Sequence, residues 1–152
     1  MTQISEPKFR GHALRKGRVS ITNQIYAITV VTRNRKHYFA DFNSSRTLTN
    51  VLRSHERTGD ANTLCFVVMP DHFHWLMQLQ ERKNLSATVQ SVKSKTTKAL
   101  GFPVWQKVFH DRAIRHEEDL VDIARYIVAN PIRAGLVNSI KEYPHWDAIW
   151  LP

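Results

Sequence analysis

Residues 62–79 read NTLCFVVMPDHFHWLMQL: two apolar arms parted by Pro70 and Asp71. Each arm is a short run bounded by turn residues, which predicts a buried strand. Pro-Asp supplies the turn chemistry. The segment therefore predicts a β-hairpin whose second arm opens at His72. In a strand, residues i and i+2 share a face, so His72 and His74 project together while Phe73 and Trp75 point the other way. Their Cα atoms stand roughly 7 Å apart, close enough for both rings to converge on one divalent ion. Two unpartnered imidazoles among apolar flanks would carry a desolvation cost that a metal, or a phosphate against charged rings, would offset. The alternative is a histidine pair on a solvated sheet face. No CxxC, HExxH or EF-hand pattern occurs, so structural zinc is not expected, and a third ligand must come from elsewhere in the chain.

The rest of the chain supplies the frame. QIYAITVVT, residues 24–32, reads as a strand. Leu48, Val51, Leu52 and His55 recur at helical spacing, with Ser44 as candidate N-cap and Gly59 as stop. Leu85, Val89, Val92 and Thr96 form a second helical stripe ending at Gly101. PVWQKVF, residues 103–109, predicts a short strand. Leu120, Ile123, Ala124, Ile127 and Val128 form a third stripe that ends at Pro131, with PIRAGLV as a short further helix and Asn130 available as its N-cap. The order strand, helix, strand, strand, helix, strand, then an extra helix is that of an α+β, ferredoxin-like split βαβ fold with an antiparallel sheet. A length of 152 residues suits one domain. We expect it to span 1–152, with a basic N-terminal arm over 1–20 and an aromatic tail over 140–152 packing on the body.

Charge points to the partner. The net charge is +9, which favours a polyanion, most often nucleic acid. No apolar run reaches membrane-spanning length, and no segment reads as a basic amphipathic helix, so no membrane partner is expected. The N-terminal stretch carries charge and no apolar signal region. The single cysteine, Cys65, excludes an internal disulfide and fits a reduced compartment, so the expected location is cytoplasmic and nucleoid-associated.

A helical wheel started at Leu120 centres the third apolar stripe near 10°, puts Tyr126 at about 240° and Asn130 at about 280°. Tyr126 is thus off the core stripe, and Asn130 lies on its face one turn along. A phenol outside the core beside an amide oxygen is a candidate active-site pair. A stripe-edge tyrosine that only packs, and an asparagine that only caps, are the plain alternatives.

MPDHFHWLM, followed some fifty residues later by ARYIVANPIRAGLV, resembles the HUH-type single-tyrosine transposases, with Phe73 as the bulky hydrophobic residue between the histidines. Within them the chain is most similar to the REP-associated tyrosine transposases. NQIYAITVVTRNR and FHDRAIRHEEDL also match stretches typical of that group, and the likeness covers roughly residues 10 to 148. The resemblance implies a transposase: a metal-dependent DNA endonuclease and strand transferase acting on single-stranded DNA that carries REP-type hairpins. It implies tyrosine attack, a covalent 5′-phosphotyrosine intermediate and a free 3′-OH. On that basis Tyr126 is the catalytic nucleophile, His72 and His74 are metal ligands, and Asn130 stands where a polar third ligand is found. The implied assembly is a monomer, with a shared-site dimer as the alternative.

The chemistry fits those residues. A phosphodiester resists nucleophiles, and a Lewis acid on two imidazoles would ease attack. Phosphate oxygens suit Mg²⁺ or Mn²⁺, and imidazole ligation leans toward Mn²⁺. A phenol with an ordinary pKa near 10 is ionised about one time in a thousand at neutral pH, so its proton needs help to leave. Asp119 and Asp122 fall near Tyr126 on the wheel, though acidic residues there also complement a helix N-terminus. DNA contacts are expected from Arg10, Arg15, Lys16, Arg18, Arg33, Arg35, Lys93, Lys95, Arg112 and Arg115. Tyr26, Trp105 and Phe109 could stack on bases or fill the core, and His110 could meet phosphate or lie in a loop. The rival reading is a non-catalytic ferredoxin-like nucleic-acid-binding module, a domesticated hairpin binder. Against an RRM, no RNP-type run occurs.

Overall fold

A computed structural model describes residues 23–115 and 120–150. Its strands are β1 (Ile25–Val31), β2 (Ala61–Met69), β3 (His72–Leu79), β4 (His110–Ile114) and β5 (Trp146–Ala148). Its helices are α1 (Phe42–Arg57), α2 (Leu85–Leu100), α3 (Leu120–Val128) and the single turn α4 (Asn130–Arg133). The sheet order is β4-β1-β3-β2-β5, with every neighbouring pair antiparallel. The first four strands reproduce the ferredoxin-like order. β5 extends it by pairing with Cys65–Val67 of β2.

Period-two alternation sends each strand's residues to two cores. Tyr26, Ile28, Val30, Phe73, Trp75 and Met77 face α1 and α2, against Leu48, Leu52, Leu85, Val89 and Val92. Cys65, Val67 and Leu76 face α3, against Leu120, Ile123, Ala124 and Ile127. Each fully buried large side chain contributes roughly 1.5–3 kcal/mol. The sheet is thus covered by two helices on one side and by the tyrosine-bearing helix on the other. His72 and His74 alternate in phase with Leu76, on the α3 side. Among the described residues no helix is long and apolar enough to cross a membrane.

Two local predictions need correction. Asp41, not Ser44, caps α1: its carboxylate accepts from Ser44 N at 2.9 Å. The fourth strand is not PVWQKVF. That stretch makes only an isolated bridge, Thr32 to Trp105, and the strand follows it at His110–Ile114. The helix stops behave as read: Gly59 and Gly101 take φ of 84° and 90°, left-handed values that cost glycine nothing.

Buried histidines set an acid limit. His55 is fully buried in α1; its Nδ1–H donates to Val51 O at 2.8 Å and its Nε2 accepts from Ser91 at 2.8 Å. Burial holds its pKa below the ordinary 6.5, and burial with the nearby Arg46 charge does the same to His145. Below about pH 6.5 the unfolded chain takes up protons that the fold refuses, so stability declines as pH falls. Asp60 adds to this further down. Burial alone would raise its pKa, but the Thr58 hydroxyl, Lys83 and His55 outweigh it and hold it low. Its contribution is present above the ordinary carboxylate range and disappears as pH drops through its folded value. Urea unfolding at pH 7.5 and pH 5 should show a loss on the order of 2 kcal/mol at the lower pH. Equal stability at both would contradict the neutral, buried assignment.

Candidate active site

The imidazole pair is built by strand register. His72 lies opposite Val31 of β1 and Met69 of β2, and His74 opposite Thr29 and Val67. The two rings meet nearly perpendicular, at 82°, with centroids 4.8 Å apart. Each has its Nδ1 engaged. His72 Nδ1 donates to Asp71 Oδ1 at 2.7 Å, and the other carboxylate oxygen of Asp71 accepts from Arg35 Nε at 3.1 Å. His74 Nδ1 lies 2.9 Å from Thr29 Oγ1. Nε2 is therefore the ring nitrogen each histidine has left to offer. Burial, then the charges of His72 and Arg133, push the His74 pKa down to about 3, which keeps this imidazole neutral in ordinary buffers. Asp71 sits below the usual carboxylate range. Burial opposes this, but the His72 hydrogen bond and charge and the Arg35 charge prevail. The turn that delivers Arg35 has Asn34 and Arg35 at φ of 55° and 50°, a left-handed pair without glycine that stores strain on the order of 1 kcal/mol per residue.

The phenol arrives from α3. Ile123, Ala124 and Ile127 face the sheet, and Tyr126 is 66% exposed. Among the described residues its hydroxyl has no hydrogen-bond partner. α4 follows after one residue and is capped by Ala129, so Asn130 is its first residue and not the predicted N-cap. Asn130 Nδ2 donates to Ile127 O at 2.9 Å, which leaves Oδ1 as its side-chain acceptor. The near-continuous turn carries Arg133 back over Tyr126, with the guanidinium carbon 3.7 Å from the ring centroid. The Arg133 charge adds, after burial and His72, to the lowering of the His74 pKa. Among the described residues no group of three or more His, Cys, Asp or Glu could hold a metal.

The basic residues divide. Arg33, Arg35, Lys95 and Arg115 are exposed, and Arg112 is half-buried. Lys93 corrects an expectation: it is buried, and its ammonium donates to Gln106 O and Lys107 O at 2.8 and 3.1 Å. It anchors the loop after α2 and does not present its charge to DNA. Arg10, Arg15, Lys16, Arg18 and Asp119 lie outside the described residues. Asp122 is exposed and pairs with Arg125 at 3.4 Å. Tyr26, Trp105 and Phe109 are core. His110 opens β4, opposite Thr29, on the sheet face that carries His74.

Comparison with known proteins bears on the family and the fold. The profile of the family described as "Transposase IS200 like" matches residues 20–128. A Haemophilus influenzae protein provisionally named a REP-associated tyrosine transposase is 28% identical over 139 residues, 80% of this chain and 77% of that protein. An Escherichia coli K12 REP-associated tyrosine transposase is 32% identical over 81 residues, 52% of this chain and 49% of its own. A solved REP-associated tyrosine transposase, bound to a REP hairpin, superposes with a TM-score of 0.75 at 27% identity, covering 85% of this chain and 79% of that one. A solved transposase-like protein from Deinococcus radiodurans shares the fold, with a TM-score of 0.53 at 20% identity over 73% of this chain and 93% of that one. The chain belongs to the IS200-like transposase family and is akin to its REP-associated tyrosine transposases.

Proposed function

We propose that this transposase-family protein cleaves and rejoins single-stranded DNA beside REP-type hairpins, with Tyr126 as nucleophile. The reading is carried by one observation: the exposed phenol is borne by the helix that packs on the sheet face to which the imidazole pair belongs. Tyr126 Oη attacks phosphorus, and the P–O3′ bond breaks. The phenol proton leaves to water, and the departing 3′-oxygen takes one from water. The products are a 5′-phosphotyrosine ester and a free 3′-OH. The ester conserves the diester linkage, so a 3′-OH can attack it and reseal a strand without a nucleotide cofactor.

His72 and His74 fit a divalent cation. His72 Nδ1–H donates to Asp71 and His74 Nδ1 is engaged by Thr29, so the lone pairs of the two Nε2 atoms would serve the ion, with the Asn130 amide oxygen as a suitably hard third donor. Mg²⁺ or Mn²⁺ bound there would polarise a non-bridging phosphate oxygen. Asp71 fixes the His72 tautomer, and Arg35 holds Asp71. Exposed Arg33, Lys95 and Arg115, with the N-terminal arginines and Lys16, would track the DNA backbone. The hairpin as ligand rests on the solved relative bound to one.

The test is incubation with hairpin-bearing single-stranded DNA and Mn²⁺, followed by a denaturing gel. A metal-dependent covalent adduct at the hairpin flank is expected. Tight hairpin binding with no adduct would favour the non-catalytic binder instead. Asp71→Asn probes the support of the site: it removes the carboxylate that orients His72, so Mn²⁺ affinity by calorimetry should fall by about 10–100-fold. Unchanged affinity would mean that Asp71 serves only to hold Arg35.

A further inference from the structure

Several arginines of the described residues are held in ion pairs. Arg35 pairs with Asp71, Arg53 with Asp147, Arg82 with Asp60 and Arg125 with Asp122. Arg133 differs. It is exposed, it lies face-on to the Tyr126 ring, and among the described residues its N–H donors meet no carboxylate or carbonyl. A guanidinium has five such donors in a planar fork that matches two phosphate oxygens.

We propose that Arg133 is a catalytic residue of the strand-transfer reaction, one that steers the Tyr126 ring and grips the phosphate that the phenol attacks; this rests on the function proposed above. Three observations carry it. The phenol is exposed and its hydroxyl unpartnered, so packing and hydrogen bonds leave the ring free to turn. A cation at 3.7 Å restrains it through the ring face, and leaves the hydroxyl unobstructed. The donor fork of the same guanidinium is unengaged among the described residues, so a phosphate attacked by the phenol meets an open set of N–H groups.

The consequence is differential. As the Oη–P bond forms and the P–O3′ bond breaks, negative charge builds on the phosphoryl oxygens and the departing 3′-oxygen. A fixed guanidinium beside them stabilises that charge more than the resting diester. Orientation of the ring adds to the same step, because attack requires alignment of oxygen, phosphorus and leaving group. Loss of Arg133 should therefore act on the chemical step and leave binding nearly intact.

The experiment is single-turnover adduct formation with hairpin-bearing single-stranded DNA and Mn²⁺, run over a range of DNA concentrations. Wild type is compared with Arg133→Ala, Arg133→Lys and Tyr126→Phe. Arg133→Ala should lower the saturating rate by about 10²–10³-fold, the loss typical of one preorganised donor. The half-saturating DNA concentration should move less than about threefold, the value of one exposed phosphate contact, and Mn²⁺ affinity should not change. Added guanidinium ion should recover part of the rate in Arg133→Ala. Arg133→Lys, which keeps the charge but not the fork, should fall between the two. The inference is overturned if Arg133→Ala reacts at the wild-type rate, or if its defect lies wholly in DNA affinity. If wild type itself forms no Tyr126-dependent adduct, the proposed function fails first, and this inference with it.

Discussion

Tyr126→Phe should form no covalent adduct with hairpin DNA, a loss on the order of 10⁴-fold or more, while DNA affinity and stability stay near wild type. The substitution removes one oxygen. That oxygen is exposed and has no hydrogen-bond partner among the described residues, so its loss should move stability by less than about 0.5 kcal/mol. The phenylalanine ring keeps the Arg133 contact, worth about 0.5–1 kcal/mol at an exposed site. Only chemistry is withdrawn. The chain's other tyrosines are poor substitutes. Tyr26 is buried in the sheet core and Tyr38 packs against Phe102. Tyr143 donates to Val68 O, and burial pushes its pKa up to about 12. The readout is a denaturing gel with end-labelled substrate, alongside fluorescence anisotropy for affinity. An adduct that persists in Tyr126→Phe would move the nucleophile elsewhere and dismantle the proposed site.

Much of this site is legible in the sequence because it depends on short-range periodicity. The HxH pair shares a face by strand alternation alone, and Tyr126 leaves the apolar stripe by helical arithmetic. What escapes is whatever depends on register or on the first turn of an element. Thr29 meets His74 only because β1 and β3 pair in one register, which spacing within a strand does not reveal. Arg133 reaches Tyr126 because α3 and α4 nearly continue across Ala129, where a proline-marked stop is the simpler reading. β4, HDRAI, is an edge strand with polar residues on both faces, so the apolar PVWQKVF before it attracts the assignment instead. Asp41 escapes as the α1 cap because Phe42 is exposed and falls outside the apolar pattern. Lys93 carries a missed signal: it stands four residues after Val89 and three before Thr96, on the buried stripe. Counting its charge without its helical phase puts it wrongly among the DNA contacts.

His72→Ala combined with His74→Ala should eliminate specific Mn²⁺ uptake and, with it, the adduct. Each imidazole has spent its Nδ1 and offers only Nε2, so no alternative nitrogen on the pair can compensate. Among the described residues no third His, Cys, Asp or Glu completes a cluster, and the Asn130 amide alone is a weak neutral donor. A Lewis acid on the scissile phosphate supplies several kcal/mol of charge stabilisation, so the rate should fall on the order of 10³-fold or more. DNA affinity should change little, because backbone contacts by arginine and lysine dominate it. The fold should survive as well. His74 is neutral, so its removal strands no charge and leaves one Thr29 hydroxyl to find water. Calorimetric Mn²⁺ titration and the gel assay must fail together. A double variant that still forms adduct at the wild-type rate, in the presence of chelator, would show that the phenol attacks without any metal, and the imidazoles would then have to be reassigned as direct phosphate contacts.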